Sequence, residues 1–183
     1  MVAPWQFGLV GILVVATVTD LQTRKIYNWL TFPAMAVGLA LMVAINGLPG
    51  LQSSLIGFFV AATVFVIGFL LPVAATQMGA GDVKLMAAIG LWLGWPAIVA
   101  ALLYTTLLGG VVALVVALRY GVLVQMFKNI YWFFLSVVVP GGKAHLATVS
   151  APGVPYGVSI ALGTLLALFF PEPNTLLQLL RVT

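Results

Sequence analysis

The sequence contains no cysteine, one histidine and only three acidic residues among its 183 residues. The absence of cysteine excludes disulfides, thiolate zinc sites and a cysteine nucleophile. Charged residues make up 5% of the chain, whereas soluble domains average about 25%. Because so few polar groups cannot coat an exterior that faces water, the composition predicts a polytopic membrane protein.

Basic residues outnumber acidic ones, but they do not form a patch. The seven Lys and Arg residues lie scattered between apolar runs. A nucleic-acid interface gathers such residues on one face, so we expect no nucleic-acid partner. We interpret the scattered basic residues as topology signals in contact with membrane lipid. Residues 1–8 lack the basic region of a cleavable signal peptide, which predicts that the first apolar run stays as a membrane helix.

Six apolar runs approach the length of about 20 residues that a spanning helix needs. They lie near 4–19, 29–46, 51–71, 83–94, 97–118 and 154–170. The residues at 46–50 predict a tight turn between the second and third runs. We therefore predict an all-α, polytopic membrane protein with about six transmembrane helices and a single domain over 1–183.

The stretch at 126–139 mixes aromatic residues with Lys128 and Asn129, which favours a helix lying at the membrane interface; a short seventh crossing is the alternative. Tryptophans near predicted helix ends are expected to anchor the chain at the interface: Trp29, Trp92, Trp95 and Trp132. With the amino terminus outside, six basic residues fall on the cytoplasmic side and only Arg181 falls outside. The six are Arg24, Lys25, Lys84, Arg119, Lys128 and Lys143.

Asp20 and Asp82 each lie at the edge of an apolar run, and the two crossings between them bring both to the cytoplasmic edge. A carboxylate at the centre of a membrane helix costs about 2.5–3.5 kcal/mol on insertion scales, so an unused one should be lost. Asp20 directly follows the first predicted helix, where the helix dipole disfavours an anion. Asp82 opens a predicted helix, so an N-cap role is its alternative explanation.

Two carboxylates in proximity do not both ionise readily, and one then keeps its proton near neutrality. Such a pair can activate water against a peptide bond, because the charged acid accepts a proton and the neutral acid donates one. Gly79 and Gly81 lack a Cβ where an extended substrate would approach Asp82; helix breaking is the alternative reason for them.

These residues together resemble the type IV prepilin peptidases, which are aspartic membrane proteases of the GxGD class. The resemblance rests on five short features of the sequence: the run Gly79-Ala80-Gly81-Asp82, Lys84 beyond it, Asp20, the pair Ile26 and Asn28, and the late run Val154-Pro155-Tyr156-Gly157. Tyr27 stands where many family members carry proline.

The resemblance implies catalytic roles for Asp20 and Asp82, with Gly79, Gly81, Lys84 and Asn28 binding substrate or supporting the site. It also implies removal of leader peptides from prepilins or pseudopilins at the cytoplasmic face of the bacterial inner membrane, without a metal or cofactor. Larger members add a cysteine-bearing domain linked to N-methylation. This chain resembles the short, peptidase-only form of tight-adherence (Flp) pili, so methyltransferase activity is not expected.

Two other functional classes remain open on the sequence. Carboxylates within membranes also mark ion paths, which makes a proton-coupled transporter the first alternative. A transporter is expected to carry acids in mid-helix and inverted halves, and neither is evident. A non-catalytic assembly protein of a pilus or secretion system is the second alternative.

Overall fold

A computed structural model describes residues 4–70, 79–138 and 156–170. These residues form six helices and no strand: α1 (Pro4–Thr23), α2 (Asn28–Leu70), α3 (Ala80–Leu93), α4 (Ala97–Arg119), α5 (Leu123–Val138) and α6 (Tyr156–Phe169). The prediction of an all-α fold is confirmed. The predictions that concern Lys143, Arg181 and residues 154–155 lie outside the described residues.

Among the described residues, three helices are long and apolar enough to cross a membrane, namely α1, residues 28–69 of α2, and α4. Many large apolar side chains on these helices face outward, and Phe7, Phe59 and Leu107 are each more than 60% exposed. An apolar exterior of this kind requires lipid rather than water around it. The chain is therefore a multi-pass membrane protein, as its composition predicts.

Helix α2 reverses its direction at Gly47, which has a positive φ of 63° and a ψ of −141°. A Cβ on Gly50 would come closer than 3.0 Å to the carbonyl group of Met42. Residues eight positions apart along a straight helix are roughly 12 Å apart, so this contact requires the chain to fold back. The two arms, 28–46 and 48–70, correspond to the second and third predicted runs, and the predicted turn is confirmed.

Helix α3 lies at the centre of the bundle, since every residue from 85 to 92 is buried. Gly57 in the second arm of α2 and Gly90 in α3 bring the two backbones into direct contact, and a Cβ on either would come closer than 3.0 Å to the other backbone. Beyond this crossing, the Trp95 N–H donates to the Ser53 carbonyl at 3.0 Å. The glycine pair thus fixes how α3 lies against α2.

Trp92 belongs to this core and is only 2% exposed. Its Nε1 donates a hydrogen bond of 2.8 Å to the carbonyl oxygen of Ala34. A Cβ on Gly8 or Gly38 would come closer than 3.0 Å to the indole, so both glycines make room for it. The prediction of an interface anchor at Trp92 is wrong, because α3 is central and its last turn points inward. Trp29 and Trp95 are about half exposed or more, as anchors would be.

Helix α6 packs antiparallel against α4. Tyr156, at the start of α6, lies beside Gly109, whereas the hydroxyl of Tyr104 donates to the carbonyl of Phe170 at 3.1 Å. The chain therefore leaves α4 and enters α6 on the same side of the bundle. A helix α5 that lies at the interface fits this arrangement better than a single crossing by α5. Two aromatic side chains of α5, Phe127 and Tyr131, are more than 60% exposed.

Candidate functional site

Asp20 lies on the buried face of α1, in its last turn. The buried residues of this helix follow a spacing of four, three and four: Leu9, Leu13, Ala16 and Asp20. Asp20 is 6% exposed. The expectation that Asp20 follows the helix is wrong, because α1 continues to Thr23 and the Arg24 N–H still donates to the Asp20 carbonyl at 2.8 Å. The apolar run ends at this aspartate, but the helical backbone bonds continue for one polar turn.

Asp82 is the third residue of α3, and Gly79 is the N-cap. The N–H of Gly79 donates to Oδ2 of Asp82 at 2.8 Å, and the N–H of Asp82 donates to the carbonyl of Gly79 at 3.0 Å. The alternative explanation of Asp82 as the N-cap is therefore wrong, because the cap lies three residues earlier, although the Asp82 carboxylate does accept an amide N–H at the helix start. The dipole of α3 favours a negative charge there. The residue is 7% exposed.

The backbone of α6 holds the first carboxylate. The N–H of Gly157, in the first turn of α6, donates to Oδ2 of Asp20 at 2.8 Å. Each aspartate thus accepts one backbone N–H at Oδ2, Asp20 from a distant helix and Asp82 from its own helix start. Between described residues, the hydrogen bonds to the two carboxylates fall on Oδ2.

Both carboxylates line one cleft and interact with each other electrostatically. The cleft has a volume of about 420 Å³, within the usual range for small-ligand sites. Its walls come from the end of α1, the α1–α2 connection and the start of α3. The lining residues are Asp20, Arg24, Lys25, Ile26, Tyr27, Asn28, Gly79, Ala80, Gly81 and Asp82.

The α1–α2 connection is tied to the start of α3 by close packing. A Cβ on Gly81 would lie 3.0 Å from Cβ of Ile26 and 3.1 Å from its carbonyl oxygen. The missing side chain of Gly81 therefore makes room for the protein's own loop. A Cβ on Gly79 would be in ordinary contact with Asp82, 3.4 Å from Oδ2. Of these two glycines, only Gly79 lacks a side chain at a place that faces the carboxylate of Asp82.

Lys84 and Asn28 meet at one side of the cleft. Nζ of Lys84 donates to Oδ1 of Asn28 at 2.9 Å and lies 5.6 Å from the centre of the Phe32 ring. Asn28 lines the cleft, whereas Lys84 does not. The pair joins the first residue of α2 to the fifth residue of α3, so it supports the wall that carries Asp82.

We expect Asn28 and Lys84 to act as one unit in a double-mutant cycle. Asn28→Ala and Lys84→Met should each destabilise the protein, and their combination should cost about 1 kcal/mol less than the sum, since both remove the same hydrogen bond. The measurement is denaturant unfolding in mixed micelles, with Lys128→Met as the control for loss of a cation. Fully additive effects would show that the bond contributes nothing.

Sequence reasoning missed three residues of this site. Gly157 falls in the late run that carries the resemblance, but no role follows from its position in the sequence. Arg24 and Lys25 read as topology signals, yet both line the cleft. Their sequence separation from Asp20 was the signal that could have found them. Arg24 and Lys25 follow Asp20 by four and five residues, which is about one helical turn.

We expect Gly157→Ala to lower kcat for the reaction proposed below by about tenfold or more, with little change in KM. The new Cβ would lie 2.8 Å from Oδ2 and 3.0 Å from Cβ of Asp20, so the carboxylate must move. Displacements of this size are costly in a preorganised site. Gly110→Ala is the matched control, because nothing lies within 4 Å of its added Cβ. An unchanged kcat for Gly157→Ala would show that its amide does not position Asp20.

The fold and the cleft define a multi-pass helical membrane protein with a two-carboxylate site at one end of the bundle. The model of the type IV leader peptidase family matches residues 7–114, which include both aspartates and more than half of the chain. The chain belongs to this family. No solved structure matches the chain.

Several relatives carry the name prepilin leader peptidase/N-methyltransferase. The protein of Aeromonas hydrophila is 36% identical over 104 residues, which cover 55% of this chain and 36% of that protein. The Klebsiella pneumoniae protein is 32% identical over 98 residues, covering 52% and 42%. The Neisseria gonorrhoeae protein is 29% identical over 130 residues, covering 64% and 45%. The matches thus span less than half of the length of these relatives.

Proposed function

We propose that this chain is an aspartic endopeptidase that removes leader peptides from prepilins or pseudopilins. The observation that carries the proposal is the pair of buried carboxylates, Asp20 and Asp82, that line one cleft and are each held at Oδ2 by a backbone N–H. Family membership and the names of the relatives support the choice of reaction and substrate.

The reaction needs one ionised and one protonated carboxyl group. The ionised acid accepts a proton from water as the water oxygen attacks the scissile carbonyl carbon. The protonated acid donates its proton to the carbonyl oxygen, which gives a gem-diol. The acid that took the proton from water then delivers it to the leaving nitrogen as the C–N bond breaks, and the first donor regains a proton from a gem-diol hydroxyl. The backbone amides of Gly157 and Gly79 hold the two acids through Oδ2, so that Oδ1 of each can meet the reacting atoms.

We propose that the site faces the cytoplasm across the inner membrane. Arg24 and Lys25 line the cleft, and Lys84 lies beside it. A concentration of cations at one end of a membrane bundle marks the cytoplasmic side. An active site there reaches a leader peptide before the substrate leaves the cytoplasm, while the substrate's apolar helix stays in lipid.

Of the alternatives, the transporter requires acids along a path through the membrane. The two described acids instead lie in a last turn and a first turn at the same end of the bundle, which favours chemistry at the membrane edge. The assembly-protein alternative predicts substrate binding without turnover, and the following experiment distinguishes it.

The test is cleavage of a tight-adherence prepilin by the purified protein in phosphatidylcholine vesicles. Mass spectrometry of the products identifies the bond that is broken. We expect two fragments, the leader and the mature pilin, without added metal or cofactor. Binding of prepilins without cleavage of any of them would overturn the proposed activity in favour of the assembly protein.

A further inference from the structure

Three exposed aromatic side chains form a strip that begins in the two-carboxylate cleft. Tyr27 lines the cleft, and its ring is stacked with that of Trp29, with the ring centres 6.4 Å apart and the ring planes at 26°. Phe32 follows Trp29 by three residues, so both side chains lie on one face of α2. All three side chains are exposed. Tyr27, Trp29 and Phe32 are the aromatic strip.

The backbone role of Tyr27 does not depend on its ring. Its carbonyl oxygen accepts the N–H groups of Leu30 at 3.1 Å and of Thr31 at 3.2 Å, which begins α2, and any residue could supply that carbonyl. Ile26, the neighbouring apolar residue of the cleft wall, packs against the protein itself, because its Cβ lies only 3.0 Å from the place of a Cβ on Gly81. The exposed ring of Tyr27 is therefore the apolar surface that this wall offers to a molecule in the cleft.

The aromatic strip leads from the cleft to the lipid-facing side of α2. Tyr27 lies in the α1–α2 connection, and the other two rings lie at the start of a helix that is long and apolar enough to cross the membrane. Ala36 and Ala40 follow Phe32 by four and eight residues and are also exposed, so they continue the same face. A chain that leaves the cleft along the strip thus passes directly into lipid.

We propose that the aromatic strip binds the apolar segment of the substrate that follows the scissile bond, and that this segment reaches the two aspartates along α2. This inference rests on the proposed function. Of the two products, the mature chain carries the helix that stays in lipid, so it must leave the cleft on a side that opens to the bilayer. The strip is such a side, and its continuity with the cleft is the reason for this choice of occupant.

The chemistry and the dimensions of the strip suit this segment. Aromatic rings provide large apolar contact areas, and tyrosine and tryptophan are at home where one end of a site is wet and the other apolar. An extended chain advances about 3.3 Å per residue. The stacked rings, 6.4 Å apart, therefore cover about two substrate residues close to the bond that is cut.

A double-mutant cycle between enzyme and substrate in phosphatidylcholine vesicles tests the assignment. The enzyme variant combines Tyr27→Ala with Trp29→Ala. In the substrate variant, alanine replaces the large apolar residues among the first few after the scissile bond. We expect either change alone to raise KM about tenfold with little change in kcat, because both remove a contact that persists from the bound substrate to the transition state. Both changes together should raise KM little further.

Two further variants separate this role from a structural one. Tyr27→Phe should keep the KM of the parent, because the ring rather than the hydroxyl makes the contact. Trp95→Ala is the matched control, since Trp95 is also exposed but lies just beyond the end of α3 that is opposite to Asp82. Its KM should be unchanged. Photoreactive p-benzoylphenylalanine in place of Trp29 should crosslink to the mature part of the substrate, which tests the contact even where an alanine variant fails to fold.

Three outcomes would overturn the assignment. Increases in KM that multiply in the combined case would mean that the strip does not contact the substituted segment. An equal increase for Trp95→Ala would assign Trp29 to general anchoring, with lipid as its partner. Crosslinks from position 29 to lipid or to the leader alone would mean that the substrate enters by another side. Failure of the parent to cleave any prepilin is a different result, because it overturns the proposed function itself.

Discussion

Replacing either aspartate by asparagine should abolish prepilin cleavage, and we expect Asp20→Asn and Asp82→Asn each to lower kcat by about a thousandfold. Loss of a positioned general acid or base typically costs about 10²–10⁴-fold in rate. The amide keeps the size of the carboxylate, and its oxygen can still accept the N–H of Gly157 or Gly79. The fold is thus retained while the titrating proton is lost.

The combined variant, with both aspartates replaced, should be little worse than either single variant. Residues that act as one unit in a reaction show strongly non-additive losses. The matched control is Glu172→Gln, which removes the third acidic residue of the chain, located between two prolines. The melting temperature of each variant in detergent is compared with that of the parent, to establish that the variant is folded. Cleavage that persists in a folded Asp variant would remove that aspartate from the mechanism.

The second large effect is expected at the crossing of α2 and α3. Gly90→Leu should destabilise the protein by at least about 1–3 kcal/mol, and Gly90→Ala by less. A Cβ at this position would come closer than 3.0 Å to the carbonyl group of Gly57 and to the backbone nitrogen of Phe58. Backbone cannot move aside as a flexible side chain can, so the helices must separate. Because α3 also carries Asp82, cleavage should fall together with stability.

Gly110→Ala and Gly110→Leu provide the control for this prediction. Gly110 lies in α4, and nothing lies within 4 Å of a Cβ built on it. Replacing a helical glycine there by alanine should be neutral or should stabilise the protein, by up to about 1 kcal/mol. The measurement is the unfolding midpoint in mixed micelles, with the cleavage rate measured on the same samples. Equal midpoints for the Gly90 and Gly110 variants would contradict close packing of α2 against α3.

The predicted helices agree well with those of the structure because the thickness of a bilayer sets the length of an apolar run. Glycine and proline between runs marked the reversal at Gly47 correctly. Helix ends were less accurate, since hydropathy stops at Asp20 while backbone hydrogen bonding continues to Thr23. The same limitation placed the start of the fourth run at Val83, whereas the helix begins at Ala80, two residues before Asp82.

Contacts between distant parts of the chain were beyond the sequence pattern. Hydropathy assigns Trp92 to a helix end, but only the packing of α3 shows that its indole is enclosed. The bond from Gly157 to Asp20 joins residues 137 positions apart. Both aspartates could be identified from the sequence because placing a charge beside lipid costs free energy. That cost is a property of the single residue. The partners of these residues are properties of the fold.

The unequal anchoring of the two carboxylates has a consequence for biosynthesis. Asp82 receives its backbone hydrogen bond from Gly79, which the ribosome adds only three residues earlier. Asp20 receives its backbone hydrogen bond from α6. This bond can form only after the chain has been extended past Gly157 and α6 has been inserted. A nascent chain that ends before α6 contains both acids but lacks the second anchor. Completion of the last described helix is therefore the step at which the site acquires its geometry.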